Sequence, residues 1–357
     1  MTAGVGTVDA GTGRPATLMR MTQQVTLKDV AAHAGVSRTT ASYVVMGIGR
    51  VSQKTRERVH ASIQELGYVY NRGAASLRTQ RSSTIGVVVT NISSPFFGEL
   101  LVGLESELRA HGFLSLVVAT GDDPARQEQL IAELREHQIA GLAAVPASGS
   151  SPDLLDAIRS SGIPHVFMTR YLDGEPAPYI GPDDIQGGRL AAQHLLDHGS
   201  RTFAYLGGRD IVLSRRDRLN GVRGAIRDAG LDDAALTDIP GGATGEDGLQ
   251  AGERLLAAGT LPDGVICHSD SVAFGFYRAL RTNGIPVDSV RVIGYDDIRG
   301  AALWEPPLTS VATHAEHLGL LSARKLLAAL GTIDAPAADL VEKVAPELVV
   351  RQSCGCP

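Results

Sequence analysis

The chain has 357 residues, 43% of them hydrophobic and 20% charged, with a formal net charge of −6. That composition excludes a disordered chain and leaves material for more than one domain. No apolar run approaches the roughly 18 residues of a membrane-spanning helix, and three cysteines, Cys267, Cys354 and Cys356, are too few and too poorly spaced for a disulfide framework or a four-ligand zinc site.

Residues 1–24 are rich in Gly, Thr and Ala and lack the apolar core of a secretory signal, so a disordered tail and a cytoplasmic protein are expected. Residues 25–70 read as a helix-turn-helix head. Thr26 and Asp29 can form a capping box, and Leu27, Val30, Ala31 and Ala34 recur at helical spacing before Gly35 ends the pattern. Ser37 can cap a second helix whose Ala41, Val44 and Val45 face the first. Ser52 caps a third, with Val59, Ile63 and Leu66 completing a small core and Gly67 stopping it.

In such a motif the second helix enters the major groove by its N-terminal end. The candidate base-reading residues are therefore Arg38, Thr39 and Thr40, with Arg50 beyond the helix. A guanidinium can bond O6 and N7 of guanine together, while Thr serves a base edge or a phosphate. Candidate phosphate contacts are Thr26, Ser37, Ser42, Lys54, Arg56 and Asn71, and Arg58 is expected to stay outside the core as well. Between Met21 and Arg81 nine Lys or Arg stand against three acids, a net +6, which leaves −13 for residues 82–357. A basic head on an acidic body fits a protein that meets nucleic acid at one end only.

These residues carry a resemblance. Leu27-Lys-Asp-Val-Ala, Ala34-Gly-Val-Ser, Val51-Ser with Lys54-Thr-Arg-Glu-Arg-Val, Leu66-Gly-Tyr and Asn71-Arg resemble the head of the lactose/galactose repressor (LacI/GalR) family. The resemblance implies that residues 71–81 form a hinge that becomes helical on an operator, with Leu77 matching the family's minor-groove leucine and Ala74 beside it. Wedging an apolar side chain between base steps trades unstacking for a kinked duplex with more contact. Met46 departs from the Asn often found at the end of the reading helix.

From Ile85 short β-rich runs alternate with helical segments. The strands are expected at Ile85–Thr90, Leu114–Ala119, Gly141–Val145, His165–Met168, Phe203–Leu206, Gly264–His268 and Val292–Gly294, with eight helices between and after them. Such alternation predicts parallel sheets covered on both faces, in two lobes. The fold class is thus an all-α helix-turn-helix head plus an α/β core, which the resemblance makes a two-lobed, periplasmic-binding-protein-like one over 82–357. It assigns about 82–181 and 309–330 to the first lobe and about 182–308 and 331–357 to the second.

Ligands of such sheets sit beyond the carboxyl ends of the strands. There the resemblance points to Ser94, Phe96 and Phe97 in Asn91-Ile-Ser-Ser-Pro-Phe-Phe, to Arg218 in Ser214-Arg-Arg-Asp-Arg-Leu-Asn-Gly, to Ser269 in Cys267-His-Ser-Asp, and to Asp296 in Ile293-Gly-Tyr-Asp-Asp. Arg170 and Asp184 fall at further cleft positions. Phe96 or Phe97 could stack on a sugar face or lie buried under a helix start; Asp270 and Asp297 suit caps or hinge contacts. Ser269 is shorter than the family's Asn, and Gly241–Gly248 carries no aromatic, so the effector need not be a simple pyranoside.

The function implied is a transcription regulator, a repressor, that binds a pseudo-palindromic operator in double-stranded DNA as a homodimer or larger assembly and answers to a sugar-like small-molecule effector. A solute-binding receptor without a transcriptional role is the alternative. An enzyme is not expected: no phosphate loop and no Gly-x-Ser-x-Gly elbow occur. No cofactor, metal or membrane partner is expected either. His194 with His198 and His314 with His317 have metal-binding spacing but no third ligand nearby in sequence, and Cys354-Gly-Cys356 reads as a reduced, frayed end.

Overall fold

The computed structural model describes residues 25–69, 82–174, 176–259, 261–334 and 339–356. Contacts divide the chain into two units, Met1–Gln80 and Arg81–Pro357. In the first, α1 (Leu27–His33), α2 (Arg38–Met46) and α3 (Gln53–Leu66) enclose Leu27, Val30, Ala31, Ala34, Ala41, Val44 and Val59, with Ile63, Leu66 and Tyr68 packed against them. The turns follow from local chemistry. Gly35, Gly47 and Gly67 take positive φ at helix ends, where a β-carbon is costly. The Ser37 and Ser52 hydroxyls accept from the backbone N–H groups of Thr40 and Thr55, satisfying donors that a helix start leaves free.

The second unit holds two six-stranded sheets. The first is built from β1 (Thr84–Val89), β2 (Leu114–Ala119), β3 (Gly141–Ala144), β4 (His165–Met168), β5 (Tyr179–Pro182) and a late strand at Val341–Val344, all parallel. Three helices connect its early strands: α4 (Pro95–Ala110), α5 (Pro124–Glu136) and α6 (Asp153–Ser160). Its interior strand β1 is apolar from Ile85 on, with Ile85, Val87, Val88 and Val89 fully buried, as expected of a strand covered on both faces.

The second sheet is built from β6 (Phe203–Leu206), β7 (Leu236–Ile239), β8 (Gly264–Cys267), β9 (Arg291–Asp296) and β10 (Thr309–Ala312), with an antiparallel final strand at Glu347–Val349. Its helices are α7 (Asp184–Asp197), α8 (Leu213–Asp228), α9 (Gly245–Ala257) and α10 (Asp270–Thr282), and α11 (Ala315–Ala329) follows β10. The sequential strand numbers make Val341–Val344 β11 and Glu347–Val349 β12. The sheet orders are β11-β5-β4-β3-β1-β2 and β12-β10-β9-β8-β6-β7.

The return to the first lobe is displaced from the expected 309–330 and runs from about 313 to 345, so part of 331–357 lies in the first lobe as well. Thr309–Ala312 pairs in parallel with Ile293–Asp296 and so belongs to the second sheet. α11 crosses back, packing Leu318, Ala323, Leu326 and Leu327 into the first lobe's core. β11 then joins the first sheet beside β5, and β12 the second. The chain therefore passes between lobes three times, near residues 183, 313 and 345.

The C-terminal end is not frayed over the described residues. The Ser353 hydroxyl donates to the Val292 carbonyl and accepts from the Thr309 N–H, at 2.7 Å each, and Cys354 is buried. None of the described helices is long and apolar enough to cross a membrane.

Candidate functional site

In the head, α2 starts at Arg38 because Ser37 caps it, and the cap fixes which side chains stand at that end. Arg38, Thr39 and Arg50 are exposed and have no partner among the described residues. Thr40 is half-buried, its hydroxyl 2.9 Å from that of Ser37. Ser42 is half-buried and Lys54 and Arg58 are exposed.

Two candidate phosphate contacts have other engagements. The Thr26 N–H and hydroxyl both donate to Asp29, at 2.8 and 2.6 Å; these bonds hold the Asp29 carboxyl below its ordinary range, the hydroxyl contributing most. Arg56 is half-buried, against the expectation that it stays outside: its guanidinium donates to the carbonyls of Val51 and Gly49, bracing the α2–α3 turn. Asn71, Ala74 and Leu77 lie outside the described residues, as does the hinge over 71–81.

The remaining candidates gather at the carboxyl ends of the parallel strands. Arg218 and Asp184 meet because α7 and α8 touch backbone to backbone. A β-carbon on Gly188 would lie 1.9 Å from the Arg218 carbonyl oxygen, and one on Gly221 would lie 2.0 Å from that of Ile185, so only glycine permits the approach. The Arg218 guanidinium, nearly buried, donates from Nε to Asp184 at 2.7 Å and from Nη1 to the His268 carbonyl at 2.6 Å. It also lies 3.6 Å from the centre of the Tyr295 ring, a cation–π contact. Tyr295 donates to the same Asp184 oxygen at 3.0 Å.

Burial pushes the Asp184 carboxyl up even against Arg218, and burial together with the Arg218 charge keeps His268 well below its ordinary range, hence neutral. Arg218 is thus a held donor, with its orientation set before any ligand arrives.

Asp296 differs from these. It ends β9 with φ of 101°, half-buried, and no group among the described residues is bonded to its carboxylate. Burial, opposed by Arg218 and reinforced by Asp184 and Glu99, raises its pKa from 3.8 to about 7. It lines a cavity of about 480 Å³ together with Glu99, Asp297, His314 and His317. Asp297 is engaged by Arg351 at 2.7 Å, and Asp270 accepts from the Ser310 hydroxyl and the Ile298 N–H; both hold loops in place.

At the other end of the cleft Arg170 donates to Asp122 at 2.7 Å, and Asp122 also accepts from the N–H and hydroxyl of Ser148. Burial alone would raise the Asp122 carboxyl, but Arg170 and Ser148 outweigh it and hold it below 3.8. Arg209 of the second lobe reaches the same carboxylate at 3.4 Å, and Tyr171 of the first lobe donates to Asp217 of the second at 2.7 Å. A cavity of about 230 Å³ lies between Ser148 and Arg170 on one lobe and Ile211 and Leu213 on the other.

Three candidates are placed otherwise than for direct ligand contact. Phe96 and Phe97 are packed edge-to-face, 5.3 Å apart, within the first lobe's core, so neither presents an open face for stacking. Ser269 caps α10, accepting from the Val272 N–H and donating to the Ala243 carbonyl. Ser94 stands at the start of α4, half-buried, with no capping bond from its side chain.

Residues 82–338 match the family profile of periplasmic binding proteins and the sugar-binding domain of the LacI family, and residues 26–71 match that of bacterial regulatory proteins of the lacI family. The chain belongs to the LacI family. Among its relatives this LacI-family protein is 36% identical to the HTH-type transcriptional regulator CelR of Thermobifida fusca over 321 residues, 87% of this chain and 93% of CelR. A solved structure of a transcriptional regulator CelR-cellobiose complex superposes with a TM-score of 0.68 at 32% identity, covering 92% of this chain and 99% of that one. The lac repressor dimer bound to operator and the anti-inducer ONPF gives a TM-score of 0.81 at 27% identity, covering 93% and 99%.

For this LacI-family chain the sequence left several cleft residues unnamed. Asp122 and Tyr171 of the first lobe meet Arg209 and Asp217 of the second, Ser148 braces Asp122, and Glu99 lines the same cavity as Asp296. Asp122 had one readable signal, a Gly-Asp-Asp-Pro turn after a strand. Tyr171 and Asp217 had none, since their meeting depends on how the lobes close. The histidine pair does have a third potential ligand: Cys356, far away in sequence, lies with His194 and His198.

Proposed function

We propose that this regulator represses transcription by binding a pseudo-palindromic operator as a homodimer, in the cytoplasm and without enzymatic activity, and that a hydroxyl-rich, sugar-like effector in the interlobe cleft controls that binding. The observation that carries the effector reading is the contrast between Arg218, locked by Asp184, His268 and Tyr295, and Asp296, a carboxylate with no bonded partner among the described residues. A fixed donor fork and a free acceptor at the strand ends suit a neutral ligand whose hydroxyls both accept and donate. Arg170 and Ser94 would border the ligand, while Phe96, Phe97 and Ser269 would shape the site from beneath.

In the head, Arg38, Thr39, Thr40 and Arg50 would read bases, with Ser37, Ser42 and Lys54 on phosphates and the hinge presenting Asn71, Ala74 and Leu77 to the duplex. The two-fold symmetry of paired half-sites calls for a second copy. The edge strand β2 leaves Leu114 and Leu116 exposed, the kind of apolar edge that a second copy would cover.

Relatives support this reading: one was solved with cellobiose, and another as a dimer on operator. The test is thermal denaturation of the full chain across a panel of neutral mono- and disaccharides and polyols. At least one should raise Tm in the wild type and leave Arg218→Ala unmoved. A panel in which no compound moves Tm overturns the sugar reading.

A further inference from the structure

His194 and His198 lie one turn apart near the end of α7, with ring centres 4.3 Å apart. The chain's far end brings Cys356 to them. Its Sγ lies 3.5 Å from His194 Nε2 and 3.1 Å from His198 Nε2, and the three potential ligand atoms fall within 4.8 Å of one another. Around a tetrahedral zinc, bonds of about 2.3 Å to sulfur and 2.05 Å to nitrogen separate those atoms by roughly 3.5 Å. The observed spacing therefore needs only small side-chain adjustments.

The ligands are also held. Ser353 is pinned between Val292 and Thr309, Arg351 is tied to Asp297, and Gly355, at φ of 79°, makes the turn that brings Cys356 back towards α7. His198 Nδ1 lies 2.8 Å from the His194 carbonyl. With its proton there, the ring donates to that carbonyl and leaves Nε2 free to face the sulfur, the outer bond that commonly orients a ligating histidine. Burial and the adjacent Cys354 sulfur push the Cys356 thiol up, with Arg291, beside Gly355, opposing them. Nothing in the DNA-reading or effector-binding account uses these three side chains.

We propose that His194, His198 and Cys356 form a three-ligand site for a borderline-soft transition metal, Zn²⁺ in the first place, with water completing the tetrahedron. Two imidazoles and a thiolate suit zinc and its spectroscopic substitute Co²⁺ and disfavour Mg²⁺ and Ca²⁺, which take oxygen ligands. Binding displaces the thiol proton to solvent. The ion clips the C-terminal segment to the end of α7, the helix whose first residue, Asp184, anchors Arg218 in the cleft.

The test is titration of the reduced full-length protein with Co²⁺, followed by competition with Zn²⁺. We expect one Co²⁺ per chain, a thiolate-to-cobalt charge-transfer band, tetrahedral d–d absorption and displacement by Zn²⁺, together with a Zn²⁺-dependent rise in Tm. Cys356→Ser should abolish the charge-transfer band. His194→Asn and His198→Gln, both on the helix surface, should each weaken binding by more than the roughly 100-fold that loss of an outer partner can cost. Cys354→Ser should keep the band. No cobalt band in the wild type overturns the proposal, and so does a band that survives both histidine variants but is lost in Cys354→Ser, which would assign the metal to the two thiols.

Discussion

Replacing Asp296 with Asn should stabilise the protein above neutral pH and remove its response to effector. The carboxyl stands half-buried with no bonded partner among the described residues, and burial is the main cause of a pKa raised from 3.8 to about 7. An acid whose folded pKa exceeds its unfolded value keeps a proton that the unfolded chain has already released. Stability is therefore lost as pH rises from about 4 to about 7, and stays lost above that. At about 1.4 kcal/mol per pH unit the full effect is roughly 4 kcal/mol. Because the group lines an open cavity where water screens it, we expect about 1–3 kcal/mol.

Asn has nearly the same shape, tolerates the positive φ as Asp does, and never ionises. Urea denaturation of both proteins at about pH 5 and about pH 8 reads the result: the advantage of Asp296→Asn should be small at the lower pH and appear at the higher one. A variant equally destabilised at both pH values would refute the reasoning. The same group accepts from ligand hydroxyls more strongly when ionised than when protonated. Wild-type effector affinity should thus fall as pH drops below about 7, and a flat profile from about pH 6 to about pH 8 would remove Asp296 from the contact.

Arg38→Ala should cost about 1–3 kcal/mol at one operator position and relax its base preference, measured by anisotropy on operator variants; equal losses on operator and random DNA would refute base reading. Arg56→Ala should lower the head's own stability by about 1 kcal/mol, because the guanidinium holds the Gly49 and Val51 carbonyls. An unchanged denaturation profile with weaker DNA binding would return Arg56 to a phosphate role alone. Tyr171→Phe removes the hydroxyl that ties the lobes at Asp217 and should speed effector release several-fold, about what one hydrogen bond supplies; an unaltered off-rate would show that this tie plays no part in closure.

The head was legible because its signals are local. Capping serines, positive-φ glycines and helical spacing act within a few residues, and α1, α2 and α3 fall where those signals place them. β1, β3, β4, β6, β8 and β9 were legible as apolar runs, whereas the buried β5 and β10 and the half-buried β7 were not anticipated. β11 and β12 were not, because Val-Glu-Lys-Val and Glu-Leu-Val are short and partly exposed, so their pairing is decided by where the chain must cross. Arg218 and Asp296 were placed by resemblance, but their contrast in partnering came only from packing: two glycines bring α7 onto α8, and no donor among the described residues reaches the Asp296 carboxylate. The ring of Phe96, which could equally stack on ligand or lie in the core, is in the core because α4 starts directly over β1. Cys356 was unreadable as a neighbour of His194 because 162 residues separate them.

The central claim is that one chain couples an operator to a small polar ligand. The most direct measurement is selection of bound duplexes from random DNA by the purified full-length protein, repeated with each member of the sugar panel present. The account predicts enrichment of a palindrome of about 14 to 20 base pairs whose recovery changes with one compound and ceases to change in Asp296→Asn. Recovery of no preferred sequence under any condition, or a palindrome whose recovery no compound alters, would contradict it.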